Sequence, residues 1–152
     1  MNKDNKKTEI KKQAERIKVA EKRESYEKIN SEQIKKRTKW INENKHLLNE
    51  IEGSDLRKAY EVFLINYLGI DPKEVPIVFE DDKKIVWRSY NWCPVLDACK
   101  DLNCDTKEVC KKGWEESVDA FVKIINPKLK FIRNYNKIRP HADYCEEMFV
   151  LE

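Results

Sequence analysis

The sequence has no apolar run long enough to cross a membrane and no segment that reads as a secretion signal. Charged residues make up 39% of its 152 residues, and no stretch approaches the roughly 18 consecutive apolar residues of a membrane span. The N-terminus, MNKDNKKTEIKK, lacks the apolar stretch of a signal peptide. These absences argue against a membrane protein and predict a soluble, cytoplasmic one.

The chain also lacks internal repeats and low-complexity linkers. Its length suits one folded domain with an appendage rather than two full domains. Residues 1–52 hold 15 Lys or Arg and 10 Asp or Glu, whereas residues 53–152 hold 16 and 18. The basic excess therefore belongs to the first third. We predict a charged helical arm over residues 1–52 and a folded domain over residues 53–152.

The predicted arm carries a thin apolar stripe. Its second helix, starting near residue 30, places Ile34, Ile41 and Leu48 at heptad spacing. Acidic side chains are interleaved with the basic ones from Glu9 to Glu24, which makes nucleic acid an unfavoured partner. We expect the stripe to pack on the domain or on a second copy of the chain, and the latter would give a homo-oligomer through these helices.

The sequence of residues 53–152 predicts secondary-structure elements in the order helix, strand, strand, helix, helix, strand, strand. Two strand-like runs flank the polar tip EDDKK and indicate a β-hairpin. The capping pattern at Asp105 and Glu108 predicts one long helix that ends before Pro127. In the last strand, Cys145, Glu147, Phe149 and Leu151 share one face. We therefore predict an α+β fold, an antiparallel four-stranded sheet with helices packed on one face.

The five cysteines form no disulfide framework and no strong metal motif. They stand at Cys93, Cys99, Cys104, Cys110 and Cys145. Their number is odd, and no C-x-x-C pair occurs. In a cytoplasmic chain of this size, such cysteines are thiols or metal ligands rather than disulfide partners.

Cys93 is the strongest candidate for chemistry because it precedes Pro94 at a predicted helix start. The N–H groups at a helix N-terminus favour a thiolate. In the segment IRPHADYC, His141, Asp143 and Cys145 follow in steps of two, so an extended backbone would point them the same way. The predicted catalytic set is Cys93 as nucleophile, His141 as base and Asp143 as the group that orients it.

A substrate pocket is predicted around the same cysteine. Arg133 or Arg139 would hold a substrate carboxylate, since a guanidinium can donate two parallel hydrogen bonds to that group. Trp92 would form an apolar wall, and Cys145 would line the pocket. The functional prediction is a small-molecule-binding protein, hydrolase-like, with a cysteine-centred pocket.

Four short motifs lie within residues 85–150. They are Cys93-Pro94 opening a helix, Cys110 in the next helix, Asn126-Pro127-x-Leu129-x-Phe131-x-Arg133 entering a strand, and Asp143-x-Cys145 opening the last strand. Together they resemble the C-terminal region of the aminothiazoline carboxylate hydrolase-like family and, more distantly, the 4-vinyl-reductase-type small-molecule-binding domains. The resemblance implies an α+β fold with a pocket between sheet and helices. It also implies hydrolytic opening of a small sulfur and nitrogen heterocycle, or of a related C–N bond.

The chain departs from that family in its charged N-terminal third and in the IRPHADYC segment, so two other functions stay open. One is a metal or iron–sulfur protein that binds zinc or a cluster through Cys93, Cys110 and Cys145, with Cys99 or His141 as a fourth ligand. The other is an interaction module whose helical arm binds a partner.

Overall fold

A computed structural model describes residues 2–152. Its strands are β1 (Ile77–Glu80), β2 (Lys84–Ser89), β3 (Leu129–Arg133) and β4 (Cys145–Leu151). They form one antiparallel sheet in the order β1-β2-β4-β3. The predicted α+β class and the four-stranded antiparallel sheet are confirmed.

Seven α-helices lie within residues 2–152, and one of them continues as a π-helical segment, Glu61–Tyr67. The helices are α1 (Lys3–Arg23), α2 (Glu27–Glu43), α3 (Leu47–Glu50), α4 (Asp55–Tyr60), α5 (Pro94–Leu102), α6 (Thr106–Gly113) and α7 (Glu115–Ile125). None of the helices in this part of the chain combines the length and the apolar character that crossing a membrane requires.

The main core lies between one face of the sheet and the helices α4 and α7. Trp87 of β2 and Phe149 of β4 are fully buried there, and Phe121 of α7 packs against them from the helical side. Leu129 and Phe131 of β3 add to the same layer. Phe149 and Leu151 of the predicted face of the last strand thus meet the core, because every second side chain of a strand points to one face.

The N-terminal helices pack into two hydrophobic clusters, the main core and a second one. Helix α2 packs along α7 and buries Ile41 completely in the main core. Helix α1 packs on α5 and buries Ile17 in a second cluster that also contains Cys99. The start of α2 also lies close to α6, since a Cβ at Gly113 would lie 3.0 Å from the Tyr26 ring. The apolar stripe of residues 1–52 is therefore covered by the same chain.

The expected long helix after Asp105 is two helices, so that prediction is wrong. The backbone at Trp114 adopts φ −130° and ψ −18°, which ends α6 and starts α7 in a new direction. The apolar face continues across this break, since Val109 and Val118 are both buried. Periodicity alone does not reveal a break of this kind, because the spacing of apolar residues is preserved across it.

Candidate functional site

A cavity of about 1320 Å³ lies between the N-terminal helices and the end of the sheet where β4 begins. Helices α1 and α2 form one wall, and β2, β3, β4 and α5 supply the other. The polar and sulfur-containing side chains of interest in its lining are Arg37, Ser89, Cys93, Cys110, Arg133, Arg139, Cys145 and Glu147. Three of the five cysteines therefore line one space.

Cys93 is the N-cap residue of α5, as predicted, and Pro94 follows it in the first helical turn. Its backbone is extended, with φ −132° and ψ 115°. Burial raises the pKa of the Cys93 thiol, and the N–H groups of Leu96 and Val95 and the charge of Arg139 lower it by less. The expected depression of this pKa is wrong, because the loss of hydration outweighs the helix N-terminus.

Arg139 joins two segments of the cavity wall. Its Nη1 donates to the carbonyl oxygen of Asn91 at 2.7 Å, and its Nε lies 3.4 Å from the Cys145 sulfur. The backbone N–H of Arg139 also faces that sulfur, at 3.5 Å. Two of its donors are thus committed to the protein, so Arg139 fixes Cys145 and the loop before Cys93 in place.

Cys110 of α6 is the third cysteine of the cavity. Burial raises the pKa of its thiol to about 12, and the neighbouring charge of Arg133 acts in the opposite direction. Cys93 and Cys145 both raise this pKa further. All three enter the cavity from different elements, α5, α6 and β4.

Arg133 and Glu147 form an ion pair in the cavity wall. Arg133 Nη2 lies 3.1 Å from Glu147 Oε2, and each side chain is only 12% exposed. Ser89 donates its hydroxyl to the other carboxylate oxygen at 3.0 Å. Burial lowers the pKa of Arg133, but Glu147 and then Cys110 raise it by more, so the guanidinium is held charged.

Arg37 reaches the cavity from α2 and is 8% exposed. Its Nη1 donates to the Ser117 hydroxyl at 3.1 Å. Its guanidinium lies over the rings of Phe63 and Tyr67, at 5.3 and 5.9 Å from their centroids. The helical arm therefore contributes a buried cation to the cavity.

The structure does not bring His141 and Asp143 to Cys93. Residues 139–144 form turns and bends rather than an extended strand, and β4 begins only at Cys145. His141 Nε2 lies 3.0 Å from Asp105 Oδ1 in an exposed pair, and Asp143 is exposed. The alternation argument was wrong here because side chains point the same way at every second residue only in extended backbone.

The other predicted residues have mixed outcomes. Trp92 lines the cavity, and its indole N–H donates to Asp97 at 2.9 Å. Cys99 is 1% exposed and belongs to the second hydrophobic cluster instead of the cavity. Within residues 2–152, no group of three or more His, Cys, Asp or Glu side chains could hold a metal ion. The cavity thiols thus lend the zinc or iron–sulfur alternative no support.

Sequence reasoning missed Arg37, Ser89 and Glu147 as site residues. A signal for Arg37 was present, since it occupies the position between Ile34 and Ile41 where a heptad stripe places an apolar residue. Glu147 lies on the same predicted strand face as Cys145, so it could also have been assigned to the pocket. Nothing in the local sequence distinguishes Ser89.

Comparison with protein-family models, with curated proteins and with solved structures yields no match. The resemblance to the aminothiazoline carboxylate hydrolase-like family therefore stays a prediction.

Proposed function

We propose that the protein binds a small heterocycle containing sulfur and nitrogen in this cavity and opens its ring hydrolytically. The supporting observation is that Cys93, Cys110 and Cys145 line one cavity together with Arg133 and Arg139. Its volume of about 1320 Å³ is ample for such a ligand, because small-molecule pockets occupy roughly 300–1,000 Å³. The same cavity has the apolar rings of Trp40 and Phe63 in its lining.

In the proposed reaction the Cys93 sulfur bonds to the ring carbon that lies between nitrogen and sulfur. The ring carbon–sulfur bond breaks, and the thiol proton of Cys93 ends on the released sulfur. Water then attacks the same carbon, the bond to Cys93 breaks, and the thiol is restored. The net reaction consumes one water and needs no oxidant or reductant.

The surroundings of Cys93 suit this sequence of steps. Because its pKa is raised, the resting thiol carries the proton that the departing sulfur requires. As the thiol gives up its proton, negative charge develops on the Cys93 sulfur, and the N–H groups of Leu96 and Val95 and the charge of Arg139 stabilise that charge until the sulfur bonds to carbon. His141 has no part in this route, since it pairs with Asp105.

The experiment is to incubate the purified protein with 2-aminothiazoline-4-carboxylate and to follow the ring-opened product, heavier by one water, by mass spectrometry. We expect product from the wild type and none from Cys93→Ala. His141→Ala and Cys104→Ala serve as controls and should retain turnover, because neither residue lines the cavity. Wild-type protein that binds this compound without opening it would contradict the hydrolytic step.

A further inference from the structure

We infer that Arg37 and Arg133 together form a binding site for a carboxylate, or another singly charged anionic group, of a small molecule in the cavity. Arg37 of the helical arm is then a residue that determines specificity. This inference rests on the proposed role of the cavity as a small-molecule site. It does not require that the molecule be hydrolysed.

Arg37 has hydrogen-bonding capacity left over in a nearly closed environment. Its Nη1 donates to the Ser117 hydroxyl at 3.1 Å and Tyr67 is a further hydrogen-bonding neighbour, while its buried Nε has no partner within residues 2–152. A guanidinium carries five N–H donors. A buried cation without a paired carboxylate is costly, and Arg37 has no ion pair in the described chain. An anion in the cavity would supply what is missing.

Arg133 also has buried N–H donors without acceptors, although it has a counter-ion. Its Nη2 is bound to Glu147, but its buried Nε and Nη1 meet no acceptor in the described part of the chain. Glu147 does not bind these two atoms; its second oxygen accepts from Ser89 instead. Arg133 therefore has donors for a further oxygen ligand.

The charges in this part of the cavity do not balance. Arg37 and Arg133 carry two positive charges, and Glu147 supplies one negative charge. The groups act on one another: burial lowers the pKa of Arg37 most, Tyr67 opposes this, the charge of Arg133 lowers it further, and the charge of Glu147 raises it. One uncompensated positive charge on two little-exposed side chains favours a ligand with one negative charge, since Coulomb attraction is screened less there than in bulk water.

Arg139 does not perform this role, although the sequence made it an equal candidate for holding a carboxylate. Its Nε and Nη1 are directed at Cys145 and Asn91. It contributes charge to the neighbourhood of Cys93 rather than a free pair of donors. The anion site accordingly lies at the Arg37–Arg133 side of the cavity.

The test compares two alkylating reagents of nearly equal size, anionic iodoacetate and neutral iodoacetamide, on the full-length protein. The quantity measured is the ratio of their rates at Cys110, which lines the cavity together with Arg133, and at Cys104, which does not line this cavity. Since thiol ionisation affects both reagents, the ratio isolates the attraction of the cavity for negative charge. We expect the ratio at Cys110 to exceed that at Cys104 by about tenfold.

Arg37→Met should bring the ratio at Cys110 close to that at Cys104, and Arg37→Lys should keep part of the preference. Arg57→Met is the matched control, because Arg57 pairs with Glu80 outside the cavity. Equal ratios at the two cysteines in the wild type, or a ratio unchanged by Arg37→Met, would overturn the inference. The wild-type comparison decides the question even if a variant fails to fold. A high ratio without ring opening of the heterocycle would support the anion site and contradict the hydrolytic function.

Discussion

Arg133 of β3 and Glu147 of β4 lie opposite each other in the sheet, and their side chains meet at 3.1 Å in the wall of the cavity. The strand register that builds the core thus also fixes a charged pair at its edge. Phe131 and Phe149 lie on the same strands, each two residues from that pair, and they are opposite each other in the core. The pairing of β3 with β4 therefore positions this charged pair.

We predict that Glu147→Gln lowers the free energy of unfolding by about 3 kcal/mol, because it leaves the charge of Arg133 buried without its counter-ion. Urea denaturation monitored by circular dichroism measures this. Glu80→Gln is the control, since the exposed pair of Glu80 with Arg57 should contribute about 1 kcal/mol or less. Equal losses in the two variants would show that the buried pair does not stabilise the fold.

The N-terminal helices should contribute to global stability. Ile41→Ala removes a fully buried side chain from the main core and should cost about 3 kcal/mol. Ile34→Ala, on the same helix but only half-buried, should cost less than half as much. Urea denaturation of each variant measures its free energy of unfolding and so compares the two losses. If neither change affects the unfolding midpoint, residues 1–52 fold independently of the rest.

The pH dependence of alkylation at Cys93 tests its environment. Because burial raises the pKa of this thiol, iodoacetamide should label it with a midpoint above about pH 8.5, the value for a free cysteine. Arg139→Met should move the midpoint higher still, because the charge of Arg139 lowers this pKa. His141→Ala should leave the midpoint unchanged. A midpoint below pH 8.5 that rises in His141→Ala would instead restore a Cys93–His141 pair.

Cys99 should make stability decline at alkaline pH. Burial raises the pKa of its thiol to about 12 in the folded protein, whereas the unfolded chain releases this proton near about 8.5. Its stabilising contribution is therefore fully present below pH 8.5 and is lost as the pH rises towards 12. Between pH 8 and pH 10 the wild type should lose about 2 kcal/mol more than Cys99→Ala. Parallel losses in urea denaturation would contradict this.

Much of the fold could be predicted because its signals are local. The alternation of Cys145, Glu147 and Phe149 defines one strand face, and Cys93-Pro94 defines a helix start. The break at Trp114 could not be predicted, since the apolar pattern continues across it. Local signals identify elements, but the direction of a chain at a break depends on packing with distant residues.

The site was predictable in part: Trp92 and Arg139, which lie outside the helices and strands, were also predicted for the pocket and line the cavity. Cys93, Cys145 and Arg133 were placed in a common pocket from their positions on a helix start and two strands, and all three line the cavity. Arg37 was not predicted to line the pocket, because it lies on α2, within the residues that the sequence predicted to form a separate helical arm. His141 was misassigned because turn residues were treated as extended strand.

The most direct test of the account is to trap the bond between Cys93 and the ligand. Wild-type protein mixed with 2-aminothiazoline-4-carboxylate and quenched in acid should show an intact-mass increase equal to the whole ligand. Peptide mapping should then locate this adduct at Cys93. Cys93→Ala should show neither the adduct nor ring-opened product. Ring opening at the wild-type rate by Cys93→Ala, or an adduct confined to Cys104, would contradict a cysteine-centred hydrolytic cavity.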